Sequence, residues 1–303
     1  MATLEIAACS RWYGNVVAVN DVTMTIGPGI TGLLGPNGAG KSTLIHMLGG
    51  FLPPSTGTVT LDGAAIWKNQ GAYRTIGLVP EREATYDFLT GRQLAVASAE
   101  LHGLPDAGAA AARAIATVEM GDAQDRKIGE YSKGMKQRIK MASALVHDPA
   151  VLLLDEPFNG MDPRQRLHLI ALLRSMGAEG RTVLFSSHIL EEVEQLAHQI
   201  EVIVAGRHAA SGDYREIRRL MTDRPHQYTI TSSDNRVLAS ALVADGSTAG
   251  VSLDGATLRV QATEFLAFAE LLPRVARDAG VRLYEVSPAD ESLESVFSYL
   301  VTA

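Results

Sequence analysis

The stretch Gly35-Pro36-Asn37-Gly38-Ala39-Gly40-Lys41-Ser42 decides the fold. A short apolar run, Thr31 to Leu34, precedes it, and a helical pattern, Ser42 to Leu48, follows. A glycine-rich turn between a strand and a helix aims backbone N–H groups at one point, where the helix dipole is positive, and such a point attracts phosphate. On this reading Gly35, Pro36, Asn37, Gly38, Ala39 and Gly40 wrap the phosphate groups, and Thr43 lies beside them in the first helical turn. Lys41 adds a point charge and Ser42 a hydroxyl for Mg2+, while side chains larger than glycine's would obstruct the wrap.

Working outward, short runs of Val, Leu and Ile alternate with longer helical patterns from Thr3 to about Leu220, as expected of a mainly parallel sheet covered on both faces. The clearest strands are Thr31 to Leu34, Ile76 to Val79, Val151 to Leu154, Thr182 to Ser186 and Glu201 to Val204, and Val16 to Ile26 reads as antiparallel edge structure. Between Thr90 and His147 the strand signal gives way to Ala-rich, helix-favouring sequence, read as a helical subdomain inserted at about 90–148. Asp162-Pro163 supplies an N-cap and a first-turn proline, and apolar positions Leu167, Ile170, Leu173 and Met176 predict a helix ending before Gly177. Past the charged stretch Tyr214 to Arg224 and the break at Pro225 the pattern changes. The expected division is 1–222 for the larger α/β domain and 223–303 for a small α+β domain of order βαββαβ, closed by a helix at Glu291 to Leu300.

Composition agrees with a soluble two-domain protein: 303 residues exceed one ordinary core, 46% are hydrophobic and 20% charged. The net charge of −7 gives no global reason to expect nucleic acid or anionic lipid as partner. The only cysteine, Cys9, excludes an internal disulfide or a cysteine metal cluster and reads as a small buried hydrophobe. No signal peptide is read at the N-terminus, and no apolar run approaches the roughly 20 residues that span a bilayer. The expected location is therefore cytoplasmic, with any membrane association through a partner.

Three further elements carry chemistry. Val151 to Leu154 delivers Asp155 and Glu156 at the carboxyl end of a buried strand, where open α/β sheets bind ligands; Asp155 suits a magnesium shell, and Glu156 suits orienting or deprotonating an attacking water. Tyr131-Ser132-Lys133-Gly134-Met135 opens a helix with Ser132 as its cap, and Ser186-Ser187-His188 closes another strand.

In this order the motifs resemble those of the ATP-binding subunit of an ABC transporter, over roughly residues 3 to 220. The resemblance assigns Gly35 to Ser42 to the Walker A loop, Val151 to Glu156 to the Walker B strand, Tyr131 to Met135 to the signature, Asn159 to Asp162 to the D-loop and His188 to the switch histidine. It implies that Tyr13 stacks on adenine and that His188 contacts the γ-phosphate while holding Glu156 in line with the water. It also implies that Ser132 and Gly134 meet the γ-phosphate of an opposing subunit, so ATP joins two such domains. Glu81 stands where many relatives carry a magnesium-binding Gln, and Lys133 and Met135 replace Gly and Gln of the signature; Lys133 adds to phosphate attraction or faces solvent. Tyr-Ser-Lys-Gly-Met, the Pro80-Glu81 pair and the closing segment Glu291 to Phe297 resemble the subset serving ABC-2-type exporters.

The implied protein is an ATPase using ATP and Mg2+, paired with a second copy of itself or a homologous subunit. It drives an ABC-2-type transmembrane permease from the cytoplasmic face of the membrane, with Tyr86 and Phe88 as contacts. Two other readings use the same motifs: a soluble mechanical ATPase acting on ribosomes or DNA, and a nucleotide-binding regulator without turnover. The first lacks the fused halves or long coiled coil usual in that class, and the second leaves Lys41, Glu156 and His188 without a role.

Overall fold

A computed structural model of the chain describes residues 2–82, 85–213, 225–246, 248–289 and 297. Two compact units result, Met1–Ser211 and Gly212–Ala303. The division falls where the last strand of the larger sheet ends, ahead of the charged stretch 214–224, which lies outside the described residues.

The larger unit contains two sheets. β1 (Leu4–Tyr13), β2 (Val16–Ile26), β4 (Thr56–Leu61) and β5 (Ala64–Ala65) form one, in the order β2-β1-β4-β5 with every pairing antiparallel. The antiparallel strands thus make a sheet of their own rather than extending the edges of the parallel one. Gly14 supplies the left-handed turn residue (φ 59°) between β1 and β2, whose register runs from Tyr13 opposite Val16 to Leu4 opposite Ile26. Cys9 is fully buried there.

The second sheet joins β3 (Gly29–Leu34), β6 (Ile76–Val79), β7 (Val151–Leu154), β8 (Thr182–Ser187), β9 (Gln199–Val204) and β10 (Arg207–Gly212) in the order β10-β9-β3-β8-β7-β6. From β9 to β6 every pairing is parallel. Leu33, Leu153 and Leu184 on neighbouring strands are wholly buried, as expected where both faces are covered. Parallel register brings Leu34 opposite Ser187, Phe185 opposite Leu154 and Leu154 opposite Val79, so four strands end at one edge.

Helices are set by local chemistry. Thr90 and Gln93 form a reciprocal capping box at the start of α3 (Gly91–Leu101), Asp106 caps α4 (Ala107–Thr117), and Ser132 caps α5 (Lys133–Leu145). These three occupy the inserted helical region. α1 (Lys41–Leu48) and the short α2 (Gln70–Tyr73) precede them, and α7 (Leu190–Leu196) lies between β8 and β9. Asp162 caps α6 (Pro163–Ala178), which runs through Gly177 instead of stopping before it. A Cβ at Gly177 would lie 2.6 Å from Ile30 Cγ1, so this glycine permits close packing on β3; the left-handed glycine after the helix is Gly180 (φ 86°). Leu167, expected on the buried face, is exposed, and Leu169 joins Ile170, Leu173 and Met176 inside.

The smaller unit runs β11 (His226–Ser232), α8 (Asn235–Asp245), β12 (Thr248–Asp254), β13 (Thr257–Ala262), α9 (Phe265–Asp278), β14 (Leu283–Pro288), with an antiparallel sheet of order β12-β13-β11-β14. Ile230, Leu258 and Val260 of the sheet pack with Leu238, Leu242, Phe268 and Leu272 of the helices in a separate core. Apart from Phe297, the expected helix at Glu291 to Leu300 lies outside the described residues.

Leu153 lies in β7, paired on both sides, with no exposed surface. Leu153→Ala should lower stability by about 2–5 kcal/mol, read as a shifted denaturant midpoint of the larger unit's transition.

Candidate functional site

The turn after β3 is shaped by two contacts that only glycine allows. A Cβ at Gly35 would sit 2.2 Å from Ile203 O, and one at Gly40 would sit 2.3 Å from Ala18 O, with Gly40 also at φ 104°. Ala39 is bound on both sides, its N–H donating to Pro36 O (3.1 Å) and its carbonyl accepting from Gly206 N–H (3.0 Å). Gly206 itself accepts from Asn20 N–H at 2.7 Å, so the β9–β10 turn links the loop to β2. The turn thus leads directly into α1, with Gly40 as its N-cap residue.

The Lys41 ammonium is buried and donates to Gly35 O (2.7 Å) and Pro36 O (3.2 Å), drawing the loop around itself. It also lies 3.8 Å from Glu156 Oε1. Burial pushes its pKa down, opposed by the charges of Glu156, Asp155 and Glu81.

Asp155 and Glu156 leave β7 in a fixed geometry. Ser186 Oγ, on neighbouring β8, donates to Asp155 Oδ1 at 2.7 Å and accepts from Glu156 N–H at 2.9 Å. Glu156 is held in the left-handed region (φ 49°), a conformation costing a non-glycine residue about 1–2 kcal/mol. Its carboxylate meets His188 Nδ1 at 2.9 and 3.0 Å. A carboxylate only accepts, so Nδ1 carries the proton and donates. Burial raises the Glu156 pKa above the ordinary carboxyl value, opposed by the hydrogen bond and charge of His188 and then by the charge of Lys41.

A cleft of about 380 Å³ collects these groups, lined by Ala18, Asn37, Gly38, Gly40, Lys41, Ser42, Thr43, Glu81, Glu156 and His188. Ser42 and Glu81 border a second, larger cleft as well, together with Asp155. Loop, carboxylate, histidine and lysine thus converge although they come from distant parts of the sequence.

The region of residues 19–159 matches the family model described as ABC transporter. Over 242 residues, 78% of this chain and 78% of the relative, the sequence is 35% identical to the linearmycin resistance ATP-binding protein LnrL of Bacillus subtilis (strain 168). The chain belongs to the ABC transporter family, as an ATP-binding ATPase subunit. The daunorubicin resistance ATP-binding protein DrrA3 of Streptomyces coeruleorubidus is 32% identical over 303 residues, 98% of this chain and 95% of that one. A solved structure described as that of the ATP binding subunit of an ABC transporter aligns with TM-score 0.65 and 28% identity, covering 71% of this chain and 92% of the other.

Other residues of the ABC pattern lie outside this cleft. Ser132 Oγ accepts from Met135 N–H at 3.3 Å as the α5 cap, and the end of the Gln165 side chain lies against Gly134, 1.8 Å from where a Cβ would be. Tyr131 is buried, its hydroxyl donating to Ala123 O at 2.6 Å. Tyr13, at the end of β1, is half exposed with the Arg11 guanidinium 4.9 Å over its ring, and it does not line the cleft. Of the segment Arg82 to Leu89, residues 83–84 lie outside the described residues, while Tyr86 and Phe88 are exposed neighbours with centroids 5.9 Å apart. Two groups are not evident from motif reading, Ser186 and Ala18. Ser186 would have followed from the parallel register of β7 and β8; the Ala18 carbonyl has no signal in its own sequence.

Because His188 opposes the raising of the Glu156 pKa, removing it should raise that pKa further. His188→Ala should therefore move the acid limb of the ATPase pH profile to higher pH as well as reduce the rate, read from kcat across the pH range.

Proposed function

We propose that this chain powers an ABC-2-type exporter, closing on ATP as one of two paired subunits and reopening after hydrolysis. The observation that carries the hydrolytic step is the contact of buried Glu156 with both His188 and Lys41 beside the glycine loop. Glu156 orients the attacking water or takes its proton, and its raised pKa brings the carboxylate nearer the range useful to a base. His188 holds the Glu156 side chain through Nδ1 and engages the γ-phosphate, and Lys41 offers its charge to the β- and γ-phosphates. The loop from Gly35 to Gly40, with Thr43, wraps the phosphates, and Tyr13 stacks on adenine by swinging from beneath Arg11.

Ser42, Glu81 and Asp155 border one cleft and offer only oxygen donors, the set that suits Mg2+, which takes few protein ligands and fills its shell with water and substrate phosphate. When bound there, Mg2+ would offset negative charge on the phosphate oxygens.

Ser132 and Gly134 lie away from this chain's own phosphate cleft, which supports their use by an opposing subunit, a second copy or a homologue. Similarity to proteins named for linearmycin and daunorubicin resistance, and to the Nod factor export ATP-binding protein I of Burkholderia pseudomallei (strain K96243), 37% identical over 219 residues covering 70% of this chain and 71% of that one, supports export over action on ribosomes or DNA. Among the described residues no helix is long and apolar enough to cross a membrane, so a permease on another chain would provide the passage and hold this subunit at the cytoplasmic face.

Glu156→Gln should cut ATP turnover at least about 100-fold, keep ATP affinity within about threefold of the parent, and accumulate an ATP-dependent dimer on size-exclusion chromatography. Unchanged phosphate release by that variant would reject the mechanism. In fractionated cells the protein should stay with the membrane and a permease; recovery on ribosomes, with none at the membrane, would reject export.

A further inference from the structure

Lys140 lies on α5, the helix whose first turn carries Ser132 and Gly134, and it is almost wholly buried. Its ammonium meets three successive carbonyls of the turn that leaves β6: Pro80 O at 2.8 Å, Glu81 O at 3.3 Å and Arg82 O at 3.3 Å. An ammonium has three donors, and three consecutive carbonyls can converge on one point only if the backbone curls around it. One turn earlier on α5, on the same helical face, Lys136 reaches Asp87 Oδ1 at 3.0 Å. Two lysines of one helix thus grip the segment that follows β6 at two places.

Burying an ammonium costs free energy unless its donors are satisfied, and an apolar side chain would pack against the strand ends without that cost. What the lysine adds is a fixed path for Pro80, Glu81 and Arg82. Glu81 is the middle residue of the curl, and it borders both the phosphate cleft and the larger cleft beside it. The Glu81 backbone is held from α5, while its charge acts on the Lys41 ammonium and the residue shares both clefts with Ser42.

We propose that Lys140 is a positioning residue for Glu81: by gathering the carbonyls of Pro80, Glu81 and Arg82 it holds the Glu81 carboxylate where the magnesium of bound nucleotide is met. The inference rests on the reading of Glu81 as a magnesium ligand, and the two are separable by experiment. Groups that orient a metal's ligands typically change metal affinity by 10–100-fold when removed.

The test uses the full chain and a fluorescent, non-hydrolysable ATP analogue, measuring Kd in EDTA and in Mg2+; their ratio is the magnesium gain and needs no turnover. Lys140→Met should reduce that gain at least about tenfold while leaving the Kd in EDTA unchanged, and Lys140→Arg, which keeps the cation and its donors, should retain most of it. Glu81→Ala should reduce the gain to a similar degree, and the double variant should lose no more than Glu81→Ala alone. A Lys140→Met variant that weakens binding equally in EDTA and in Mg2+, or whose loss adds in full to that of Glu81→Ala, would overturn the role of Lys140 and leave Glu81 as a ligand. A Glu81→Ala variant with an unchanged gain would overturn the Glu81 reading and the Lys140 role with it. Should Lys140→Met lose the parent's thermal transition, Lys140→Gln, which keeps a donor without the charge, takes its place with the same two outcomes.

Discussion

Parallel pairing in the centre of the larger sheet is the constraint on which the site depends. β3, β8, β7 and β6 share one direction, so the glycine loop, His188, Asp155 with Glu156, and Glu81 all leave the sheet at the same edge. None of these segments is close to the others in sequence. Strand register brings Glu156 to 3.8 Å from Lys41 and 2.9 Å from His188, and the covered faces that make such a sheet stable also keep water from its core. Function at the edge and burial in the middle are two results of the same hydrogen-bond ladder.

At that edge the charged groups are held by polar clamps rather than left to rotate. Ser186 binds both Asp155 and the backbone of Glu156, and this supports the left-handed conformation that turns the glutamate toward Lys41 and His188. A buried carboxylate and a buried ammonium each lose hydration, and their pKa values move toward neutrality for that reason. A pair so arranged is electrostatically expensive, and each partner offsets part of the other's cost.

Much of this can be read from the sequence because the signals are local. Ile76–Val79 and Val151–Leu154 are apolar runs, the first opened after Thr75 and stopped by Pro80, the second stopped by Asp155, and both match the bounds of the strands. Ser132 and Asp162 act as caps through hydrogen bonds to the N–H three residues ahead, a relation visible in a short window. Lys41, Glu156 and His188 are found by motif, and the structure brings them together. Nonlocal geometry is where the reading falls short. Gly177 looks like a helix stop in sequence, yet it serves the approach of α6 to Ile30 in β3. Val16 to Ile26 reads as edge structure of the parallel sheet, yet it is the edge of a separate sheet, because its one partner, β1, pairs on its other side with β4, which follows the glycine loop in the chain. The partners of Lys140 are equally invisible, since they are set by which turn lies alongside.

The braces of the glycine loop also order the events of synthesis. Ile203 O closes against Gly35, and Gly206 ties Ala39 to Asn20, yet residues 203 and 206 belong to the last hairpin of the unit. A nascent chain therefore exposes the loop early and finishes its backing only when nearly the entire unit has left the ribosome. Until then the loop has glycines and no wall behind them, and a domain that folds as a unit completes the backing of this loop late. Closure of the loop against Ile203 and Gly206 therefore marks completion of the larger unit.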